Sequence, residues 1–178
     1  MGITIADTYY IKALDNYPYN LEEMLENVNY ALSYDNEHPE ANTLMARFYT
    51  NEVPKYDLAK EYAQRALSSD PSCIEAFKAL AVVLMYSGEL QELKKVVGYV
   101  STLREANKYY FEGLLAQTYE AKGKLSKAKK ILKNATHLCV YDDTLESLQN
   151  QLSRVKKKLK RFKNWGREIQ KLVTKGSL

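Results

Sequence analysis

The chain has 178 residues, of which 46% are apolar and 27% are charged, and its formal net charge is +4. A globular chain of this length buries roughly 70% of the surface that it exposes when unfolded, so it needs neither a disulfide nor a metal to fold. Cys73 and Cys139 lie far apart in no metal-binding spacing, which predicts two free thiols in a reducing compartment. We see no signal peptide and no apolar run of about 18 residues, and we expect a cytoplasmic protein.

Charge is distributed unevenly along the chain. Residues 151–178 contain ten Lys or Arg and one Glu, a balance of +9. Residues 1–150 contain 16 basic and 21 acidic side chains, a balance of −5. Within the first 40 residues Lys12 is the only Lys or Arg, against eight Asp and Glu. An acidic body therefore precedes a basic C-terminal segment.

A period of 35 residues runs through the chain. The segment 31–35, Ala-Leu-Ser-Tyr-Asp, returns at 66–70 as Ala-Leu-Ser-Ser-Asp, and Gly88 and Gly123 are separated by the same interval. Pro71 follows the second copy of the segment, where it stops one helix and can open the next. Self-similarity at such a period is typical of stacked repeat architectures.

Each period is predicted to hold two helices with one apolar face. Phe77, Leu80, Ala81 and Leu84 recur at the three- and four-residue spacing of one helix face. After Gly123 the same spacing returns at Ala128, Leu132 and Ala135. A Gly or polar turn separates the two helices, so each unit is predicted to be a helical hairpin.

These hairpins resemble the tetratricopeptide family, whose pattern is Trp-x2-Leu-Gly-x2-Tyr, then Ala-x3-Phe-x2-Ala, then Pro. The fourth unit carries the largest share of the pattern, at Leu115, Ala116, Tyr119, Gly123, Ala128, Leu132 and Ala135. The second and third units keep the first-helix core as Met45, Ala46 and Tyr49 and as Leu80, Ala81 and Leu84. The first unit keeps Met24, Val28 and Ala31 in its second helix, whereas its first helix, around residues 9–16, matches poorly.

The resemblance covers roughly residues 5–138 and implies an all-α fold. We expect a tetratricopeptide-like helical-hairpin solenoid of about four divergent repeats in residues 1–140, followed by a long capping helix in residues 141–178. No Trp occupies the family's Trp position, and Ala replaces the Gly of the first helix at Ala46, Ala81 and Ala116. A small residue at these positions lets two helix backbones approach closely.

The C-terminal segment is predicted to form one long helix from about 143 to 163, with a bend near Gly166. Its apolar residues alternate at spacings of three and four, at Leu145, Leu148, Leu152, Val155, Leu159 and Phe162. The first half of this stripe is expected to cover the open face of the last repeat. The stripe is too long for one repeat, so its far end is expected to project and to seek a partner.

The projecting end is strongly basic. Six cations fall within eight residues, and together with the apolar side chains they form the predicted C-terminal interaction surface: Lys156, Lys157, Lys158, Leu159, Lys160, Arg161, Phe162, Lys163 and Trp165. A solvated basic face, an acidic protein partner, nucleic acid and an anionic membrane all remain open. One copy's tail could also dock on the acidic first repeat of another copy, giving a homo-oligomer.

In the tetratricopeptide family, partners usually lie on the concave face formed by the first helix of each hairpin. The resemblance implies that this face includes Lys12, Thr43, Arg47, Lys78, Val82, Tyr86, Tyr110 and Gln117. The Lys/Asn/Asn/Lys/Arg clamp with which some relatives bind chaperone C-terminal carboxylates is not reproduced, so chaperone-tail binding is not predicted.

Catalytic, cofactor and metal motifs are not found in the sequence. His38 and His137 are the only histidines, with no clustered Cys or carboxylate spacing around them, and no phosphate loop, nucleophile elbow or dinucleotide fingerprint occurs. We therefore expect a non-enzymatic scaffold or adaptor that binds a protein or peptide through the groove, the C-terminal helix or both. A nucleic-acid-associated adaptor and a regulatory subunit of a larger assembly are the alternatives.

Overall fold

A computed structural model describes residues 2–175, with the side chains of residues 171–173 and 175 outside that description. Within the described residues there are nine helices and no strand. The helices are α1 (Ile5–Asn16), α2 (Leu21–Tyr34), α3 (Pro39–Asn51), α4 (Tyr56–Ser69), α5 (Ile74–Tyr86), α6 (Leu90–Val100), α7 (Lys108–Ala121), α8 (Leu125–Leu138) and α9 (Asp142–Lys175). The predicted all-α class is confirmed.

The chain divides into two compact units, and the division falls inside α6, between Glu92 and Leu93. In the first unit α1 packs against α2 and α3 packs against both α4 and α5. In the second unit α7 packs against α8, and α9 packs against both of them. Consecutive helices that contact each other across short turns are helical hairpins, so the predicted hairpin architecture is confirmed within each unit.

Short polar side chains and a proline set where the helices begin. The Thr4 hydroxyl accepts a hydrogen bond from Asp7 N at 3.0 Å, and the Asp7 carboxylate accepts from Thr4 N at 2.7 Å. This capping box satisfies two backbone donors that α1 itself cannot pair. At the start of α2 and α7 the side chains of Asn20 and Asn107 each accept one hydrogen bond from a backbone N–H of the first helical turn. Pro39 occupies the first turn of α3, where its missing N–H costs nothing.

The two glycines of the 35-residue period form the same turn. Gly88 after α5 has φ 73° and Gly123 after α7 has φ 71°, a left-handed conformation that residues with a Cβ rarely adopt. In each turn the glycine N–H and the N–H of the next residue donate to carbonyls of the last helical turn, as in a Schellman motif. The repeat predicted from sequence is thus reproduced in backbone geometry.

Small residues lie at the predicted helix crossings. Ala46, Ala81 and Ala116 are fully buried, which agrees with their expected role of letting helix backbones approach. Gly113 serves the same purpose between α7 and α9, since a Cβ there would lie 3.3 Å from Leu148 Cδ2. That contact is tighter than ordinary van der Waals packing.

The first helix differs from the other first helices of the hairpins. Only Ala6 and Ala13 are buried in α1, whereas α3 and α5 bury most of their apolar residues. Ile5, Ile11 and Leu14 are exposed. Among the described residues no hairpin precedes α1 to cover these side chains, which agrees with the poor match of this segment to the repeat pattern.

The last helix is longer than predicted. It spans 34 residues, about 50 Å at 1.5 Å per residue, and its helical hydrogen bonding continues through Gly166 instead of ending near residue 163. A glycine inside a helix costs only about 1 kcal/mol relative to Ala, because its N–H still donates. Leu148, Leu152 and Val155 are buried against the α7–α8 hairpin, so the predicted cap is confirmed.

Candidate functional site

An ion cluster fixes α9 against α7. The side chain of Glu120 is only 6% exposed, and Arg154 Nε and Nη2 donate to its two carboxylate oxygens at 3.0 and 2.8 Å. Lys158 Nζ lies 2.7 Å from Oε1 of the same carboxylate. Hydrogen bonds from Arg154 lower the pKa of Glu120 below its ordinary value, although burial alone would raise it. Because the two cations are one turn apart on α9, the cluster sets the rotation of that helix.

The rotation set by this cluster brings two aromatic side chains beside the turn that follows α7. Phe162 and Trp165 are 61% and 62% exposed, and they line an open groove of about 490 Å³. The groove is lined by Glu120, Ala121, Gly123, Leu125, Lys158, Arg161, Phe162 and Trp165. We call this the C-terminal groove. Its volume lies within the range of ordinary ligand pockets in proteins.

The C-terminal groove is apolar at its centre and cationic at its edge. Arg161 lies one helical turn before Trp165 and Lys158 one turn before Phe162, so each aromatic ring has a cation beside it on the same face. Glu120 contributes the only negative charge of the lining and is paired with Arg154 and Lys158. The groove therefore offers aromatic contact area and an excess of positive charge.

The rest of the predicted C-terminal interaction surface follows α9 away from the groove. Lys156, Lys157, Lys160 and Lys163 are exposed, and Leu159 is half-buried. Ile169, two turns beyond Phe162, is 40% exposed. The apolar stripe of α9 is thus buried at Val155 and exposed at Phe162. This agrees with the prediction that the stripe is too long for one repeat to cover.

A comparison with protein-family models matches residues 113–138 to the tetratricopeptide repeat. Residues 113–138 are therefore similar to one tetratricopeptide repeat. The matched repeat is the hairpin of α7 and α8, and it supplies Glu120, Ala121, Gly123 and Leu125 to the C-terminal groove. A comparison with curated protein sequences gave no match. Tetratricopeptide repeats generally mediate protein–protein interactions.

No helix among residues 2–175 is long and apolar enough to cross a bilayer. The longest helix, α9, carries acids in its first turns and cations from Arg154 onward, and the other helices are shorter than a membrane span requires.

The predicted concave-face residues of the first unit are engaged in local contacts. The Arg47 guanidinium lies 4.8 Å from the centre of the Tyr17 ring, and Lys78 Nζ lies 2.6 Å from a carboxylate oxygen of Glu75. Thr43 is buried and its hydroxyl donates to Pro39 O at 2.8 Å. Thr43 therefore cannot present its side chain to a partner, which corrects its place in the predicted face.

The other members of that face are more open. Lys12 is exposed, with Nζ 5.2 Å from the centre of the Tyr9 ring. Tyr86 is exposed and stacks on Tyr56 at a centroid separation of 6.3 Å, and Val82 is half-buried. Tyr110 and Gln117, both half-buried on α7, belong to the second unit.

Sequence reasoning missed a cluster around His38. The ring caps α3 by accepting from Ala41 N, and its Nε2 lies 3.1 Å from Asp7 Oδ1. Hydrogen bonds from Thr4, helped by His38, lower the pKa of Asp7, so this carboxylate is ionised in the folded protein. Asp7 and His38 are 31 residues apart in the sequence, a juxtaposition that no local spacing reveals. Among the described residues no group of His, Cys, Asp or Glu is arranged to hold a metal ion.

Proposed function

We propose that this chain is a non-catalytic protein-interaction module whose C-terminal groove binds an acidic, apolar-bearing segment of a protein. The supporting observation is the pair of exposed aromatic rings, Phe162 and Trp165, at a groove edged by Arg161 and Lys158. Large aromatic side chains that stay exposed on a folded protein are typical of contact sites. Trp and Arg are also the residues that most often dominate interface energies.

The chemistry of the groove selects the class of partner. An apolar side chain inserted between the rings would remove them from water, at about 25 cal/mol per Å² of apolar surface buried. Carboxylates beside that side chain would pair with Arg161 and with the exposed lysines of α9, which speeds association and favours acidic over basic partners. A segment without apolar side chains lacks the first contribution, and a basic segment lacks the second.

Trp165 provides a direct test because it is the only tryptophan of the chain. Two synthetic amphipathic helical peptides are titrated against the protein, one with a Leu stripe flanked by Glu and one with the same stripe flanked by Lys. We expect the acidic peptide to change the Trp165 emission saturably, with at least tenfold tighter binding than the basic peptide. Equal responses to both peptides, or no response to either, would overturn the proposal.

Variants separate the C-terminal groove from the predicted concave face. Arg161→Glu and Phe162→Ala are expected to weaken binding of the acidic peptide at least tenfold while Trp165 still reports. Lys133→Glu, an exposed charge reversal on α8 outside the groove lining, is the matched control and should change binding less than twofold. The double variant Arg47→Glu, Lys78→Glu should likewise bind normally. Loss of binding in that variant alone would place the site on the concave face instead.

Duplex DNA is titrated in parallel, because the cations of α9 could also contact phosphates. Binding to phosphates would fall steeply with salt, with a slope that counts the contacts. A response to DNA without a response to the acidic peptide would favour the nucleic-acid alternative and contradict the proposal.

A further inference from the structure

The opposite end of the chain carries the features that the C-terminal groove selects. On α1, Ile11 is 46% exposed and Leu14 is 37% exposed. Asp7 and Asp15 lie four residues before and after Ile11, so a carboxylate lies one helical turn away on each side of this apolar side chain. We call Asp7, Ile11, Leu14 and Asp15 the α1 face.

The charges of the two surfaces are opposite. Within residues 1–40 eight Asp and Glu face a single basic residue, Lys12, a balance of −7. The α9 segment from Lys156 to Lys163 carries six cations and no acid. Opposite net charges on two surfaces raise the rate of their encounter and disfavour pairing of either surface with itself.

We propose that the α1 face of one copy docks into the C-terminal groove of a second copy, so that copies associate head to tail. Ile11 enters beside Phe162 and Trp165, and the flanking carboxylates Asp7 and Asp15 face the cations of α9. The proposal rests on the proposed function of the groove and names its occupant. Pairing of two α9 helices is disfavoured because it would bring like charges together.

Head-to-tail association would continue between copies the stacking that covers apolar faces within a repeat array. In the part of the chain that the structure describes no hairpin precedes α1, and its apolar residues stay uncovered; the second half of α9 likewise extends past the repeat that covers its first half. A contact between two different surfaces is heterologous, and the growing assembly still offers one free surface of each kind, one at each end. Association therefore continues with concentration, or closes into a ring, instead of stopping at a symmetric dimer.

Light scattering and sedimentation over a concentration series provide the first measurement. We expect the average mass of the wild-type protein to rise with concentration at about 50 mM salt. The rise should be largely suppressed at 500 mM salt, where exposed charges are screened within a few ångströms. A mass that stays monomeric at low salt across the series would overturn the inference.

Two variants test the head-to-tail geometry. Ile11→Lys damages the α1 face, Phe162→Glu damages the groove, and circular dichroism first verifies that both remain folded. Each variant alone is expected to be monomeric, because every contact needs one intact surface of each kind. Mixed in equal amounts they should form a one-to-one heterodimer that does not grow. Continued self-association of Ile11→Lys alone would indicate pairing through α9 and would contradict the proposal.

A further variant controls for the charge that Ile11→Lys adds. Glu26→Gln changes the net charge by the same +1 at an exposed position of α2 in the acidic region. It should weaken self-association less than twofold, against at least tenfold for Ile11→Lys. If the wild type does not self-associate but the acidic peptide still perturbs Trp165, the occupant is wrong and the proposed function stands. If the peptide also fails, both are wrong.

Discussion

The two halves of α9 have the same kind of sequence and different environments. Both carry apolar residues at three- and four-residue spacing, which lie among acidic and uncharged polar residues in the first half and mainly among cations in the second. In the first half Val155 is fully buried and Arg154 is paired with Glu120, whereas in the second half Phe162 and Trp165 are mostly exposed. The difference lies in what α7 and α8 can cover. One amphipathic pattern can therefore stabilise a fold over one stretch and remain available for a partner over the next.

Truncation of an apolar side chain should cost much more stability in the first half than in the second. Leu148→Ala is expected to lower the free energy of unfolding by about 2–5 kcal/mol, because it leaves a cavity beside Gly113. Phe162→Ala should change it by less than about 0.5 kcal/mol, since its side chain is already in water. Urea denaturation followed by circular dichroism compares them. Equal losses would mean that the second half is packed as firmly as the first.

The ion cluster gives the next largest effect. Glu120→Gln should cost about 1–2 kcal/mol at neutral pH, because Arg154 and Lys158 lose their shared carboxylate while remaining partly solvated. The pKa of Glu120 is lower in the folded chain, so its contribution is fully present above the ordinary Glu value of about 4.3. It is lost as the pH falls through the lowered folded pKa.

Urea unfolding of the wild type and of Glu120→Gln between pH 3 and pH 7 checks this pH dependence. The two stabilities should converge toward the acid end of the range. A difference that stays constant with pH would show that the ion pair is not what holds α9 in place.

Glu112 lies on α7 like Glu120, and its pKa is shifted in the opposite direction. Burial raises the pKa of Glu112, and its Oε2 atom has no hydrogen-bond partner among the described residues. Glu112→Gln should therefore raise stability at neutral pH, by up to about 1 kcal/mol. Because the pKa of Glu112 is raised in the folded protein, the stability gain of Glu112→Gln over the wild type should shrink as the pH falls through that raised pKa. The gain should vanish at a pH below the ordinary pKa of a Glu side chain. Thermal unfolding at pH 4 and pH 7 measures it; destabilisation at pH 7 would mean that the carboxylate is paired.

Much of the fold could be predicted because structural repeats give the sequence a regular period. The 35-residue interval, the glycines at 88 and 123, and the small residues Ala46, Ala81 and Ala116 all reappear as turns and crossings. The exposed end of α9 was also predictable, since its stripe is longer than one repeat can cover. These features are local in sequence or periodic along it.

The parts that could not be predicted depend on contacts between distant residues. Glu120 and Arg154 are 34 residues apart, and nothing in their neighbourhoods distinguishes them from other charged residues on a helix. The repeat pattern predicts that Thr43 lies on an open face, yet its side chain is buried and its hydroxyl donates to Pro39 O within α3. The α1 face has no motif of its own in the sequence; the poor match of α1 to the repeat pattern is the one signal that its apolar side chains stay exposed.

The smallest expected effect concerns the glycine inside the second half of α9. A Cβ at Gly166 would meet nothing within 4 Å, so Gly166→Ala should stabilise the helix locally by about 0.5–1 kcal/mol through backbone entropy alone. Amide hydrogen exchange around residues 160–170 should slow roughly two- to fivefold, while the midpoint of global unfolding stays unchanged, because local opening there is not coupled to the core. A rise in the midpoint of global unfolding would show that the whole of α9 unfolds together with the rest of the second unit. The two halves of α9 would then differ in how exposed their side chains are, and they would not differ in local stability.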